Sequence, residues 1–470
     1  MSYRDPGTAR RRRAAPEGGV NRLEYSRTEI RPGVWLTHLR EEKFKTACFS
    51  VNMLAQLNRE TAAMNALIPF VLRRGTAAYP NMAALSARME ELYGTAIEPV
   101  IRRIGEIQSC GFYASFPEDD FLPGDEGVRK EALGLTLEML LAPVTRGGLL
   151  LPAYVESERD KMLDLIASRV NNKRSYAVTR CIEEMCCCED FAVSRYGDEE
   201  SCRGINYKKL SRHYKALLQS CPIELFYCGR ADFGEMKAFL RERLATLPRG
   251  EIDDEIGTEI RMNALEAEPR FTEEEMDVAQ ANLVIGWRLG ECMEEPDFPA
   301  LYVFNDLFGG SPSSKLFLNV REKLSLCYYA SSIIDIRKGL LLVSSGIQRA
   351  NFDAAKTEIF AQLEALRKGE FTAEELETAK AGVISDLRSV PDSQSALESF
   401  YISQAVAGAD YGPTDLAALV AEVTPERVTA IAASMECDQI YLLRQGETEP
   451  DGDGPDTEGG AEEDDEHAED

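Results

Sequence analysis

Apolar residues recur at helical spacing in some stretches and alternate in others, and the two patterns interleave along the chain. Residues 81–92 place Met82, Leu85, Met89 and Leu92 on one face, with Pro80 or Asn81 to start a helix and Gly94 to end it. Residues 61–73 also read as a helix before Gly75, although Pro69 interrupts it. Two strands, 96–104 and 106–116, share a short connection through Gly105 and predict a hairpin. An opening pair of strands is expected over 33–39 and 45–54. Helices are expected over 130–141, 156–170, 176–191, 207–218 and 233–244, with a strand over 223–229.

After an acidic stretch containing Pro248 and Gly257, the plot repeats. Helices are expected over 276–288 and 299–307. The run Gly309-Gly310-Ser311-Pro312-Ser313-Ser314 breaks the chain before a helix over 315–323. A second hairpin follows over 327–335 and 339–347, then helices over 353–368, 373–389 and 425–435. A short, weak helix at 413–420 and a closing strand at 439–443 complete the pattern. Each half runs from a helix into a hairpin, through Leu92-Tyr93-Gly94 in the first and Leu326-Cys327-Tyr328 in the second. A helix over an antiparallel hairpin buries one apolar sheet face. The fold class expected is therefore α+β, with two related halves over 25–247 and 258–446 and a linker over 248–257.

Composition changes the picture mainly at the ends. Of 470 residues, 44% are hydrophobic and 28% charged, an ordinary globular balance with enough chain for several cores. The net charge of -27 argues against nucleic acid or an anionic membrane as partner, yet 13 of the 80 acidic residues lie in 447–470, which has no Lys or Arg. That tail has almost no apolar residues and is expected to be disordered. Residues 1–24 carry Arg4 and Arg10 to Arg13 with no apolar run behind them, which predicts a flexible basic arm and not a secretory signal. No apolar run is long enough to span a bilayer. A soluble, cytoplasmic protein is expected. The 12 cysteines include Cys186, Cys187 and Cys188 in succession. They form no paired C-x-x-C knuckle and read as reduced thiols, not as a disulfide framework or a metal cluster.

Candidate chemistry is sparse. His38, His213 and His467 are the only histidines, too far apart for H-E-x-x-H or H-x-x-E-H. His213 lies on an expected helix and reads as structural or surface. There is no G-x-S-x-G elbow and no G-x-x-x-x-G-K-[ST] loop, so no cofactor is expected.

The stretch Thr61-Ala62-Ala63-Met64-Asn65-Ala66-Leu67-Ile68-Pro69-Phe70-Val71-Leu72-Arg73-Arg74-Gly75-Thr76 resembles the active-site helix of the M16 family (pitrilysin, insulinase and mitochondrial processing peptidase). That helix carries H-x-x-E-H and ends in basic-Gly-Thr. The following Glu91-Leu92-Tyr93-Gly94 is similar too. In the second half, Leu307-Phe308-Gly309-Gly310, Ser314-Lys315-Leu316-Phe317 and Val320-Arg321-Glu322-Lys323-Leu324-Ser325-Leu326-Cys327-Tyr328 resemble the family's other signature. The resemblance covers roughly residues 25–445 and implies antiparallel sheets packed against helices, forming half of a clamshell.

The departures are specific. Aligned on Gly75-Thr76, the family's two zinc-binding histidines fall on Ala66 and Phe70 and its catalytic glutamate on Pro69. Matching Glu158 to an acidic position of a later charged helix puts the remaining zinc ligand on Leu165. None of these side chains can bind zinc or activate water. The resemblance implies no catalytic residue and no metal, with Arg321 and Tyr328 retained to hold a peptide backbone beside a glycine loop at Gly309 and Gly310. Leu341 to Val343 and neighbouring strands are either a pairing surface for an extended peptide or core sheet.

The chain most resembles a bacterial, YfmF-like non-catalytic group that pairs with a zinc-bearing M16 homologue and is associated with modification of elongation factor P. The function implied is a peptide-binding or chamber-forming subunit of a zinc peptidase heterodimer. The alternatives are a standalone peptide-binding scaffold, as a homodimer, and a hydrolase with relocated Glu and Cys ligands.

Overall fold

The computed structural model describes residues 24–124, 127–289 and 298–446. The order opens with β1 (Glu24–Arg31), β2 (Val34–Arg40), β3 (Thr46–Gln56), α1 (Ala62–Leu72) and α2 (Met82–Glu91). The hairpin β4 (Ala96–Ile104) and β5 (Ile107–Pro117) precedes α3 (Val128–Leu141), the short ribbon β6 (Thr145–Arg146) and β7 (Leu149–Leu150), and α4 (Pro152–Ala167). Next come α5 (Lys173–Met185), α6 (Glu199–Arg203), α7 (Tyr207–Ser220), β8 (Ile223–Gly229) and α8 (Phe233–Arg243). The rest supplies β9 (Arg270–Glu275), β10 (Ala281–Arg288), α9 (Phe298–Asn305) and two wide π-helical segments, Asp306–Gly310 and Leu316–Lys323. A second hairpin, β11 (Cys327–Asp335) and β12 (Leu340–Ile347), leads to α10 (Phe352–Arg367), α11 (Ala373–Ser389) and α12 (Gln394–Val406). Then α13 (Pro413–Ala421), α14 (Pro425–Ser434) and β13 (Glu436–Arg444) close the order.

Among the described residues the main strands form two sheets, ordered β1-β2-β8-β3-β5-β4 and β11-β12-β10-β13-β9. Counted from their hairpin edges, β4, β5, β3, β8 and β2 correspond to β11, β12, β10, β13 and β9. The pairings match as well. Both sheets are antiparallel except at β2 with β8 and β9 with β13, which correspond and are both parallel. The backbone repeats in detail: the described non-glycine residues with positive φ are Tyr93 (56°) and Ser325 (51°), each just before its hairpin. Position 93 is followed by Gly94, but Ser325 carries a side chain into the left-handed region with no glycine beside it.

Each sheet is covered on both faces, and one cover is exchanged. α12, from the second half, packs Leu397, Tyr401, Ile402 and Val406 against Leu39, Cys48, Phe226 and Cys228 of the first sheet. α5, from the first half, packs Ala177, Cys181 and Met185 against Val284, Leu340, Leu342 and Tyr441 of the second. α5 and α12 are each the third helix after their hairpin. Burial of such a side chain contributes about 1.5–3 kcal/mol against its ordering entropy. Four on α12 alone therefore make the exchange a substantial part of the join.

Several expectations change. Residues 276–288 do not form a helix; β10 occupies 281–288. Leu283, Ile285 and Trp287 face one core and Val284 the α5 core, so the strand is apolar on both sides and its period of two is hidden. The strands at 33–39 and 45–54 do not pair with each other, because β8 lies between β2 and β3. β1, β9 and α12 went unpredicted: β1 and β9 are edge strands rich in charge, and α12 is recognisable mainly by what it covers. α1 continues through Pro69, which is buried inside it. Residues 248–257 are fastened along the first half, with Gly250 N–H donating to Gln219 O and Asp253 N–H to Ser220 O. The basic arm and acidic tail lie outside the described residues, apart from Glu24 at the start of β1.

Candidate functional site

α1 explains why the first candidate site holds no metal chemistry. Ala66 is wholly buried among Leu67, Ile68 and Leu72 in the first core, Pro69 is buried and Phe70 is half-buried. Leu165 sits near the end of α4 and is 40% exposed. Zinc needs lone pairs from N, S or O, and alanine, proline, phenylalanine and leucine side chains provide none. The residues do not fit the metal that the fold family uses. Among all described residues, no group of three His, Cys, Asp or Glu is arranged to hold a metal ion.

What survives around α1 is structural. Arg74 Nη1 donates to Glu158 Oε1 at 2.8 Å and its guanidinium lies over the Tyr154 ring, tying the end of α1 to α4. One residue before Ala66, a directed chain of hydrogen bonds replaces ligand chemistry. His213 Nε2 lies 2.6 Å from Asn65 Oδ1, Asn65 Nδ2 donates to Gln108 Oε1 at 2.9 Å, and Gln108 Nε2 donates to Ala62 O at 2.9 Å. Asn65 Oδ1 can only accept, so His213 carries its proton on Nε2. Burial, and after it the charge of Lys209, holds the His213 imidazole below its ordinary value. The sequence placed His213 on a helix but could not show that α7 brings it to α1. His38 is elsewhere, buried on β2 against Ala231 O at 2.9 Å and the Tyr227 ring.

The second candidate site is built on the π-helical segments and the edge strand β11. Gly309 and Gly310 belong to the first segment, and the loop starts only at Ser311. They are packing glycines. A Cβ on Gly309 would meet Ser332 N at 2.7 Å, and one on Gly310 would meet Asn305 Nδ2 at 2.8 Å. The bare Cα of Gly309 lets the helical turn lie directly on β11, and that of Gly310 leaves room for Asn305 at the end of α9. Ser332 Oγ donates to Asn305 Oδ1 at 2.9 Å across the same contact.

Arg321 rides on the second π-helical segment, with its guanidinium 4.6 Å above the Phe317 ring and Nε 3.5 Å from Glu322 Oε1. Its side chain remains 41% exposed. Tyr328 is 61% exposed. It is the extra residue of a β-bulge, since Cys327 pairs with Ile347 and Tyr329 with Gly346. A bulge at a sheet edge re-aims a side chain away from the ladder. Burial pushes the Cys327 thiol up, opposed by a hydrogen bond with Ser345 and by the charge of Arg321. Arg321 is thus an electrostatic neighbour of the residue before Tyr328. Leu318 on the same segment and Leu324 at its end are each 44% exposed. By contrast, Leu341 to Val343 lie in β12, bonded to β11 on one side and β10 on the other, so they are core sheet with no free edge.

The fold is that of a two-sheet α+β protein in the M16 peptidase architecture. A family profile described as "Peptidase M16 inactive domain" matches residues 204–383. Over 408 residues the chain is 31% identical to the "Probable inactive metalloprotease YmfF" of Bacillus subtilis (strain 168), covering 86% of this chain and 94% of that protein. The chain belongs to the M16 peptidase family, as an inactive homologue. A conserved protein from Enterococcus faecalis V583 is 27% identical and superposes with a TM-score of 0.79, covering 91% of this chain and all of that one. The periplasmic protease PqqL from Escherichia coli shares the fold at 13% identity and a TM-score of 0.66, covering 92% of this chain but 48% of its own.

Proposed function

We propose that this chain is the non-catalytic, peptide-binding or chamber-forming subunit of a heterodimer with a zinc-bearing M16 homologue. The observation that carries the reading is the contrast between its two candidate sites. The positions matched to zinc ligands, Ala66, Phe70 and Leu165, carry no donor atoms, whereas Arg321 and Tyr328 keep polar side chains exposed beside a sheet edge. A guanidinium and a phenol at that edge would hold the carbonyls of an extended peptide through charge-assisted and neutral hydrogen bonds. Support for a paired unit comes from PqqL, whose chain has about twice the length that this fold covers. In this reading the halves over 25–247 and 258–446 form one side of a clamshell, and the partner supplies the metal.

The compartment in the proposal is the cytoplasm, and the pathway suggested by the family resemblance is modification of elongation factor P. No helix among the described residues is long and apolar enough to cross a membrane, which agrees with a partner met away from the bilayer. The test is size-exclusion chromatography of this chain alone, of an intact H-x-x-E-H homologue from the same organism, and of their mixture. A one-to-one complex on mixing is expected. A homodimer that refuses the homologue would support the standalone scaffold and overturn the proposal.

A further inference from the structure

The turn after α5 places Cys186, Cys187 and Cys188 in succession. Cys186 is buried between α5 and the second sheet, and burial pushes its thiol up to about 12. Cys187 and Cys188 differ: both are exposed, and their sulfurs lie 3.8 Å apart in hydrogen-bonding contact. Arg270, at the start of β9, directs Nη1 at Cys187 Sγ at 3.8 Å. Either sulfur can be the donor in the contact between the two thiols. The Cys188 thiol is pushed up, first by its hydrogen bond with Cys187.

Arg270 is held in place independently of the thiols. It donates to Glu184 O at 3.0 Å and Met185 O at 3.1 Å, the end of α5, and to Asp438 Oδ1 at 2.8 Å. The fixed guanidinium donates a hydrogen bond to Cys187 and reaches Cys188 by its charge, so the two adjacent, solvent-facing sulfurs differ in their hydrogen-bond partner.

We infer that Cys187 and Cys188 are a redox-active vicinal dithiol, which a hydroperoxide closes to an intramolecular disulfide. Cys187 sulfur attacks the peroxide, the O–O bond breaks, and a sulfenic acid and one water (or alcohol) form. Cys188 sulfur then attacks the sulfenic sulfur, the S–O bond breaks, and a second water leaves with the Cys188 proton. Two thiols are oxidised by two electrons, which reduce the peroxide. The closure brings the sulfurs from 3.8 Å to about 2.05 Å and forms a ring through the peptide bond between the two cysteines, so the backbone of this exposed turn must twist with it. Because Arg270 also joins α5 to β13, the dithiol sits on the exchange of helices between the halves.

The experiment treats the full chain with hydrogen peroxide, then digests it with trypsin and analyses peptide 181–195 by mass spectrometry. The expected product is about 2 Da lighter, has lost two alkylatable thiols and regains both with dithiothreitol. Cys188→Ser should stop at a sulfenic acid on Cys187 that dimedone traps, whereas Cys187→Ser should react roughly 10-fold more slowly. Oxygen addition without the 2 Da loss, crosslinking between chains before closure, or equal trapping rates in the two variants would each overturn the assignment.

Discussion

Lys338 Nζ lies 2.6 Å from Glu106 Oε1, joining the tips of the two equivalent hairpins in a buried ion pair. Lys338 stands between β11 and β12, and Glu106 stands between β4 and β5. The same ammonium reaches Glu189 Oε2 and Glu259 O, both at 2.6 Å. Glu189 is shared with Arg288, itself paired with Asp438. Burial pushes the Glu189 carboxyl up, but hydrogen bonds from Arg288 and Lys338 hold it below the usual carboxylate range. The two halves therefore meet through charge as well as through exchanged helices.

Removing one partner of such a pair leaves an uncompensated buried charge, which costs about 3–5 kcal/mol. Lys338→Met is expected to lower the unfolding free energy by roughly that amount in a urea titration. Adding Glu106→Gln should recover part of the loss, because the residues act on each other. Additive losses in the double variant would show that the pair does not couple the halves.

His213 gives stability a slope with pH. Its folded-state value is lowered, so the unfolded chain binds its proton first. The contribution is present above the unfolded value of about 6.5 and is lost as pH falls through the folded one. His213→Gln keeps a donor for Asn65 but has nothing to titrate. Between about pH 7 and pH 5 its unfolding free energy should decline less steeply than that of the wild type. Parallel profiles would remove His213 from the account.

Much of this was legible before the structure, and the rest was not for definite reasons. Asn81, Gly94 and Gly105 marked real boundaries because capping and turns are local: Asn81 Oδ1 accepts from Ala84 N–H at 2.9 Å, and Gly105 has φ +58. Ala66, Pro69, Phe70 and Leu165, the positions that the resemblance matches to zinc ligands and base, need no fold to be judged, because side chains without donor atoms cannot bind a metal. β10 was misread as helix because burial on both faces erases alternation. The pair Glu106 and Lys338 is 232 residues apart and leaves no periodic trace. The bulge that exposes Tyr328 exists only relative to β12, so no property of its own segment announces it.

Arg321 carries a prediction for the paired protein. Arg321→Ala, measured in a mixture with the zinc-bearing homologue, should lower kcat/KM by roughly 10- to 100-fold, the range for one charge-assisted hydrogen bond worth about 1.5–3 kcal/mol. Complex formation should be unchanged, because the ring contact and the ion pair of Arg321, to Phe317 and Glu322, lie within its own helical segment. Unchanged cleavage would return Arg321 to the role of a surface charge packed on an aromatic ring.

The most direct measurement is peptide cleavage by this chain, by the H-x-x-E-H homologue, and by the two together at equal concentration, each with bound zinc quantified. The account predicts no cleavage and no stoichiometric zinc for this chain alone, and cleavage by the mixture well above that of the homologue alone. Cleavage by the isolated chain, or a mixture no more active than the homologue, would contradict it.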